Sequence, residues 1–496
     1  MNIKRAKEEI KNSIEAYLDK NEYGEYRIPS LRQRPLLLIG PPGIGKTQIM
    51  EQIAREMGIG LVSYTITHHT RQSAIGLPFI REKEFGGQKF SVTEYTMSEI
   101  IASVYEKMEQ TGLAEGILFI DEINCVSETL APAMLQFLQC KMFGNRKVPE
   151  GWVIVAAGNP PEYNKSVREF DVVTLDRIKK IDVEADFSVW KEYAYEAGIH
   201  SAIISYLELK KENFYKVETT VDGKLFATAR GWEDLSQLIE VYEMLGKSAD
   251  REVVYQYIQH WKIAKDFANY LELYNKYKKD YRVKEILEGR ISDEAIDKIR
   301  RAGFDEKLSV ISLLISALHD KFGKAYQKKA YAAGLFEELK RCSQLSLGEV
   351  IKSCEETMQQ KKKAEQLTKE REHVMADILH QLEQYRLQLK ADRIEGRQEA
   401  FEWLKDKFGQ EQQDMRTAFK EAEEALEHGF DFMEKAFGDS QEMVIFITEL
   451  NTDFYAVWFV DVNGCDRFYK YNKSLLFSER QQGIMQELDE IESMLV

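Results

Sequence analysis

The rhythm of hydrophobic and polar positions changes twice along the chain. Up to about residue 160, short apolar runs alternate with helical stretches. The runs at 36–39, 61–65, 117–120 and 153–157 predict buried parallel strands, which read as continuous apolar segments. Between the second and third lies FIREKEFGGQKFSV (79–92), two extended arms around Gly86 and Gly87. That pattern predicts a β-hairpin inserted ahead of the third strand, with a helical stretch at 98–110 after it.

From residue 188 to about 341 the spacing is helical and rich in aromatics. All nine prolines lie at or before Pro161, so long helices are permitted through the rest of the chain. Beyond residue 361 the apolar positions Leu367, Val374, Ile378, Leu382, Tyr385 and Leu389 keep helical steps. A second set runs from Phe401 to Phe437. Two helices of ~26 and ~38 residues, ~40 and ~57 Å long, are expected as an antiparallel hairpin or a paired coil. VIFITEL, YAVWFVDV, the Asn463–Gly464 pair and CDRFYKY then predict a small antiparallel meander, closed by a helix at 478–495.

The organisation that follows is an α/β core with a parallel sheet, then an all-α lid, a long helical coil and a small β-meander/α cap. Its expected boundaries are an N-terminal helix in 1–30, the core in 31–187 with the hairpin insertion at about 76–95, the lid and its extension in 188–345, the coil in 346–438 and the cap in 439–496.

Composition narrows the function classes. The 496 residues are 44% hydrophobic, enough for packed cores. A net charge of −15 disfavours non-specific binding to nucleic acid, and the bases in 361–420 are interleaved with acids as on a solvated coil face. No apolar run approaches the ~20 residues that span a bilayer, and the first residues lack the apolar stretch of a signal peptide. Five cysteines without C-x-x-C spacing argue against zinc or a disulfide framework and fit a reducing cytoplasm.

The strongest chemistry is GPPGIGKT at 40–47, directly after the strand LLLI. It fits the phosphate-loop pattern G-x-x-x-x-G-K-[ST], in which backbone N–H groups and a helix N-terminus cradle phosphate oxygens. Gly40, Pro41, Pro42, Gly43, Ile44, Gly45, Lys46, Thr47 and Gln48 form the candidate binding segment. Lys46 reaches the β- and γ-phosphates, and the Thr47 hydroxyl holds Mg²⁺. The second motif, ILFIDEIN at 117–124, ends a buried strand in two acids. Asp121 is placed to orient the hydrated Mg²⁺, and Glu122 to polarise the attacking water. In a third, WVIVAAGNP, Asn159 stands at a strand end where it can hydrogen-bond the γ-phosphate or that water.

With GPPGIGKT, the insertion from TRQSAIGLPFI through EYTMSEI, FIDEIN, AAGNP, TLDRI and TARGWEDLS in place, residues 30–240 resemble the AAA+ ATPases, and within them the MoxR-like branch. The resemblance implies Walker A residues at Lys46 and Thr47, a Walker B pair at Asp121 and Glu122, and sensor 1 at Asn159. It also implies an arginine finger at Arg177, acting in a neighbouring subunit's site, and sensor 2 at Arg230. Arg168 is the alternative finger. The implied activity is hydrolysis of ATP with Mg²⁺ in an oligomeric ring, a hexamer, that remodels protein clients with a von Willebrand factor A domain partner. The residues alone do not distinguish ATP from GTP. A DNA-associated motor or restriction-type translocase shares the same core, and a nucleotide-gated scaffold working through its C-terminal coil is the third class. The net charge weighs against the second reading, and the intact Glu122, Asn159, Arg177 and Arg230 set against the third.

Overall fold

The computed structural model describes residues 1–473 except 69–73, 75, 144–145, 164–166, 168–169, 222 and 395. The chain divides into two compact units, one of residues 1–189 with 355–372, the other of 190–354 with 373–496.

In the first unit, helix α1 (Ile3–Leu18) precedes β1 (Leu36–Ile39), and α2 (Lys46–Met57) leads to β2 (Gly60–Thr65). The hairpin of β3 (Pro78–Phe85) and β4 (Gln88–Tyr95) comes next, followed by the helix Glu99–Thr111 and β5 (Gly116–Asp121). After the helix Ala131–Cys140 and the short pair β6 (Met142–Phe143) and β7 (Arg146–Lys147) come β8 (Trp152–Gly158) and β9 (Lys179–Asp182). Five strands form one parallel sheet in the order β2-β5-β8-β1-β9. β8 is buried throughout and β5 at every residue before Asp121, because helices cover both faces.

The order matters for function. β1, β5 and β8 are central neighbours, so their C-terminal ends deliver the phosphate loop, Asp121 and Asn159 to one edge of the sheet. The β3–β4 hairpin pairs in full register from Pro78↔Tyr95 to Phe85↔Gln88. Its turn glycines Gly86 and Gly87 both have positive φ, and a Cβ on either would meet nothing within 4 Å.

The second unit is helical except for a hairpin of β10 (Lys216–Thr220) and β11 (Gly223–Ala227), which interrupts the helical stretch expected from residue 188 onward. The helix Phe304–Arg341 packs along Arg397–Ala436. Ile378, Leu382, Tyr385 and Leu389, on the helix Lys369–Ala391, bury themselves with Leu335, Leu339 and Leu404. The apolar stripe beyond residue 361 is thus largely consumed inside this unit.

The expected C-terminal meander is corrected: 441–452 and 454–463 are helices, and 466–473 is helical as well. β-branched and aromatic residues suggested strands there, but two caps and the burial pattern decide otherwise. The Ser440 hydroxyl accepts from Glu442 N, and the Asp453 carboxylate accepts from Tyr455 N and Ala456 N. Met443, Phe446, Ile447 and Leu450 are buried at i, i+3, i+4 and i+7, a helical face rather than an alternating one. The closing helix expected at 478–495 lies outside the described residues. Among the described residues no single helix is long and apolar enough to cross a membrane; the pair Gln441–Thr452 and Phe454–Asn463 bends by 89°.

Asp453 also carries a prediction. Its carboxylate, 1% exposed, accepts a 2.8 Å hydrogen bond from His319 Nδ1. Burial of the ring opposes its charging, but the bond to Asp453 and that carboxylate's charge outweigh it and hold the imidazole above its ordinary 6.5. A pKa raised on folding stabilises the protein fully below the unfolded value and is lost as pH rises through the folded one. The wild type's thermal unfolding midpoint is therefore expected to fall as pH rises above about 6.5, and this dependence should flatten in His319→Gln. Asp453→Ala, which removes the cap and strands the ring, is expected to cost about 3–5 kcal/mol in urea unfolding.

Candidate functional site

The loop after β1 is shaped by its glycines. Gly43 (φ +74) and Gly45 (φ +90) occupy the left-handed region that glycine enters without penalty. A Cβ on Gly40 would come 2.8 Å from the Val183 carbonyl, so the loop can pass the end of β9 only with glycine there. Gly45 caps α2 without a side-chain hydrogen bond, which leaves N–H groups of the first turn without a side-chain cap at the positive end of the helix.

Lys46 opens that helix and is 8% exposed. Its ammonium donates to the carbonyls of Gly40 (2.7 Å) and Pro41 (2.8 Å) and to Asn159 Oδ1 (2.9 Å). The Thr47 hydroxyl donates to Asp121 Oδ2 at 2.9 Å, while Asp121 Oδ1 accepts from Glu122 N at 2.9 Å. Both carboxylate oxygens of Asp121 are therefore oriented, one towards Thr47 and one by the chain that follows. Glu122 adopts φ +56, which for a residue with a Cβ is strained backbone at the point where β5 ends.

Lys46, Thr47, Asp121, Glu122 and Asn159 are thus brought together. Pro42 and Gly43 are half-buried in the loop, Ile44 is buried beneath it, and Gln48 is exposed. Arg177 stands outside the network. It is exposed after the short helix Val172–Leu175, and its guanidinium donates to Gln139 Oε1 at 2.6 Å. Arg230 belongs to the second unit, exposed in the first turn of the helix Ala229–Met244, which Thr228 caps. Arg168 lies outside the described residues.

Loop, acid pair and Asn159 together fit a phosphate ester with a divalent cation, and the chain's similarity agrees on nucleotide binding. Residues 36–175 match the family model of the ATPases associated with various cellular activities (AAA). No curated protein matches the chain. The matched stretch runs through the sheet from β1 to β8 and into the connection towards β9, and it supports an ATPase of this general kind.

Two residues of this site escape sequence reasoning. Thr67, just past β2, donates its hydroxyl to Glu122 Oε2 at 3.0 Å. The pairing Thr65↔Asp121 sets the ends of β2 and β5 side by side, and that non-local register is the signal that could have found it. Asn124, 5% exposed, donates Nδ2 to the Asn159 carbonyl at 2.8 Å and accepts from Asn159 N at 3.3 Å. It fixes the peptide that aims the Asn159 side chain. Gly158 makes room for it, since a Cβ there would approach Asn124 Oδ1 to 2.5 Å.

The donor set fits a hydrated Mg²⁺ with a nucleoside triphosphate. A hydroxyl and a carboxylate stand 2.9 Å apart, and a buried ammonium lies at the mouth of a glycine loop. Among the described residues no cluster of His, Cys, Asp and Glu suggests a further metal.

Proposed function

We propose that the chain is an ATP-hydrolysing remodelling enzyme of the MoxR-like kind, working as an oligomeric ring, a hexamer, on protein clients with a von Willebrand factor A domain partner. The observation that carries the reading is the joint network of Lys46, Thr47, Asp121 and Asn159 beside Glu122.

In this mechanism Lys46 exchanges its carbonyl partners for β- and γ-phosphate oxygens. Thr47 and Asp121 would hold a Mg²⁺, whose charge would neutralise that of the phosphates. Glu122 accepts a proton from the attacking water as its oxygen bonds to the γ-phosphorus and the bond to the β,γ-bridging oxygen breaks. Asn159, held by Asn124, orients that water or the γ-phosphate. Arg177, exposed and outside its own subunit's phosphate network, would exchange its Gln139 contact for a neighbour's phosphate. Arg230 is the lid's contribution. The deciding experiment is steady-state ATPase activity against protein concentration. Specific activity that rises with concentration supports shared sites; turnover independent of dilution down to the monomer refutes the ring.

The β3–β4 hairpin supports action on a protein client. Phe85 (58% exposed) and Phe90 (47%) stand beside its turn, with ring centroids 6.2 Å apart. We place Phe85 as the residue that grips a client or partner segment. Phe85→Ala is expected to abolish client remodelling with ATPase activity within about twofold of wild type, a separation that side-chain truncation far from the chemistry should give. Remodelling at the wild-type rate in this variant would refute the grip.

A further inference from the structure

β2 is one of the two edge strands of the parallel sheet, the first in its order. An exposed strand edge is normally paired or covered. Here a remote part of the chain does the covering: residues 355–372 pack on the first unit. Gln366 donates its amide to the Gly58 carbonyl at 3.4 Å, across 308 positions of sequence, and Glu365 pairs with Lys107 of the helix Glu99–Thr111 at 3.1 Å. The strap thus touches both the C-terminal end of α2 and the helix Glu99–Thr111.

Beneath the strap lies a cavity of about 540 Å³, within the size range of small-molecule sites. Ala54, Ile59 and Leu61 from the core and Leu367 from the strap supply apolar parts of a lining that is largely polar. Its charged groups are mostly spoken for. Lys362 pairs with Glu372, and Glu365 with Lys107, while Glu51 sits exposed one turn before Arg55 on α2. Arg55 differs: its Nε is buried and has no hydrogen-bond partner among the described residues. A buried, charged N–H without an acceptor is costly, and such groups are rare unless a bound species completes them.

We infer that this cavity binds an organic anion, its acidic head accepted by the Arg55 guanidinium and its apolar body lying against Ile59, Leu61 and Leu367. The site is separate from the phosphate loop yet mechanically joined to it. Arg55 lies in the last turn of α2, the helix that Lys46 begins. An occupant held by both Arg55 and the strap would pin the far end of the phosphate-gripping helix to residues 355–372.

The test uses the full chain with saturating ADP and Mg²⁺, so that the phosphate loop is filled, and titrates 8-anilinonaphthalene-1-sulfonate by fluorescence. A saturable site is expected, displaced by octanoate but not by acetate. Its dissociation constant should rise about tenfold or more in Arg55→Met, the loss of one charge-assisted contact. Gln366→Trp, which fills the cavity from the strap without altering α2, should block it as well. Dye binding that is unchanged in both variants, or that octanoate fails to displace, overturns the proposal. Should Arg55→Met fail to fold, the strap variant and the octanoate competition decide by themselves.

Discussion

Glu122→Gln is expected to lower ATP turnover by about 10²–10⁴-fold, the range of a lost general base, while nucleotide affinity stays within about threefold of wild type. The asymmetry follows from the geometry. Phosphate-binding groups are supplied by the loop, by Lys46 and by the start of α2, none of which depends on the Glu122 carboxylate. Glutamine keeps the length and planarity of the side chain and can still accept from the Thr67 hydroxyl, so the strained backbone at φ +56 keeps that hydrogen bond. What it cannot do is take a proton. Phosphate release and equilibrium binding of a fluorescent ADP measure the two arms separately. Turnover within threefold of wild type would remove Glu122 from the chemistry, and a parallel loss of affinity would mean that the substitution had disturbed the loop.

The legibility of this fold tracks how local the determining interactions are. β1 was readable because LLLI is apolar and runs straight into a glycine loop, and the hairpin because its arms flank Gly86–Gly87. β9 was not. Its sequence, KKID, has one buried residue, Ile181, and becomes a strand by lying along β1 from Leu36↔Lys179 to Ile39↔Asp182. The C-terminal segment failed for the opposite reason. Valine, isoleucine and aromatic residues there raise strand propensity, but propensity yielded to the capping oxygens of Ser440 and Asp453 and to burial at helical spacing. In the site, the motif residues announce themselves because each motif is contiguous. Thr67 and Asn124 become visible only through contacts made in the fold, with Glu122 and Asn159. The strap over β2 is the extreme case, since nothing near residues 355–372 points to an edge strand some three hundred positions earlier.

Arg177→Ala carries the other large expectation, a loss of about 10³–10⁵ in turnover if its guanidinium neutralises charge on the transferred phosphoryl group. Within its own subunit Arg177 hydrogen-bonds Gln139 and stands outside the Lys46–Asp121 network. On the proposed ring its role in catalysis is exercised on a neighbour, and that makes the prediction separable from misfolding. Arg177→Ala retains a complete Glu122 site, whereas Glu122→Gln retains a complete finger. In a head-to-tail ring, one orientation of a mixed interface pairs the intact halves of both. Random equimolar mixing should thus restore about a quarter of wild-type activity from two nearly inactive proteins. The same mixture of Lys46→Ala with Glu122→Gln should restore none, because both substitutions damage the same side of the interface. Recovery in the first mixture and not in the second is the outcome expected of a finger acting between subunits. No recovery in either would place the function of Arg177 in the Gln139 contact, with the loss of activity then accompanied by a lowered unfolding midpoint.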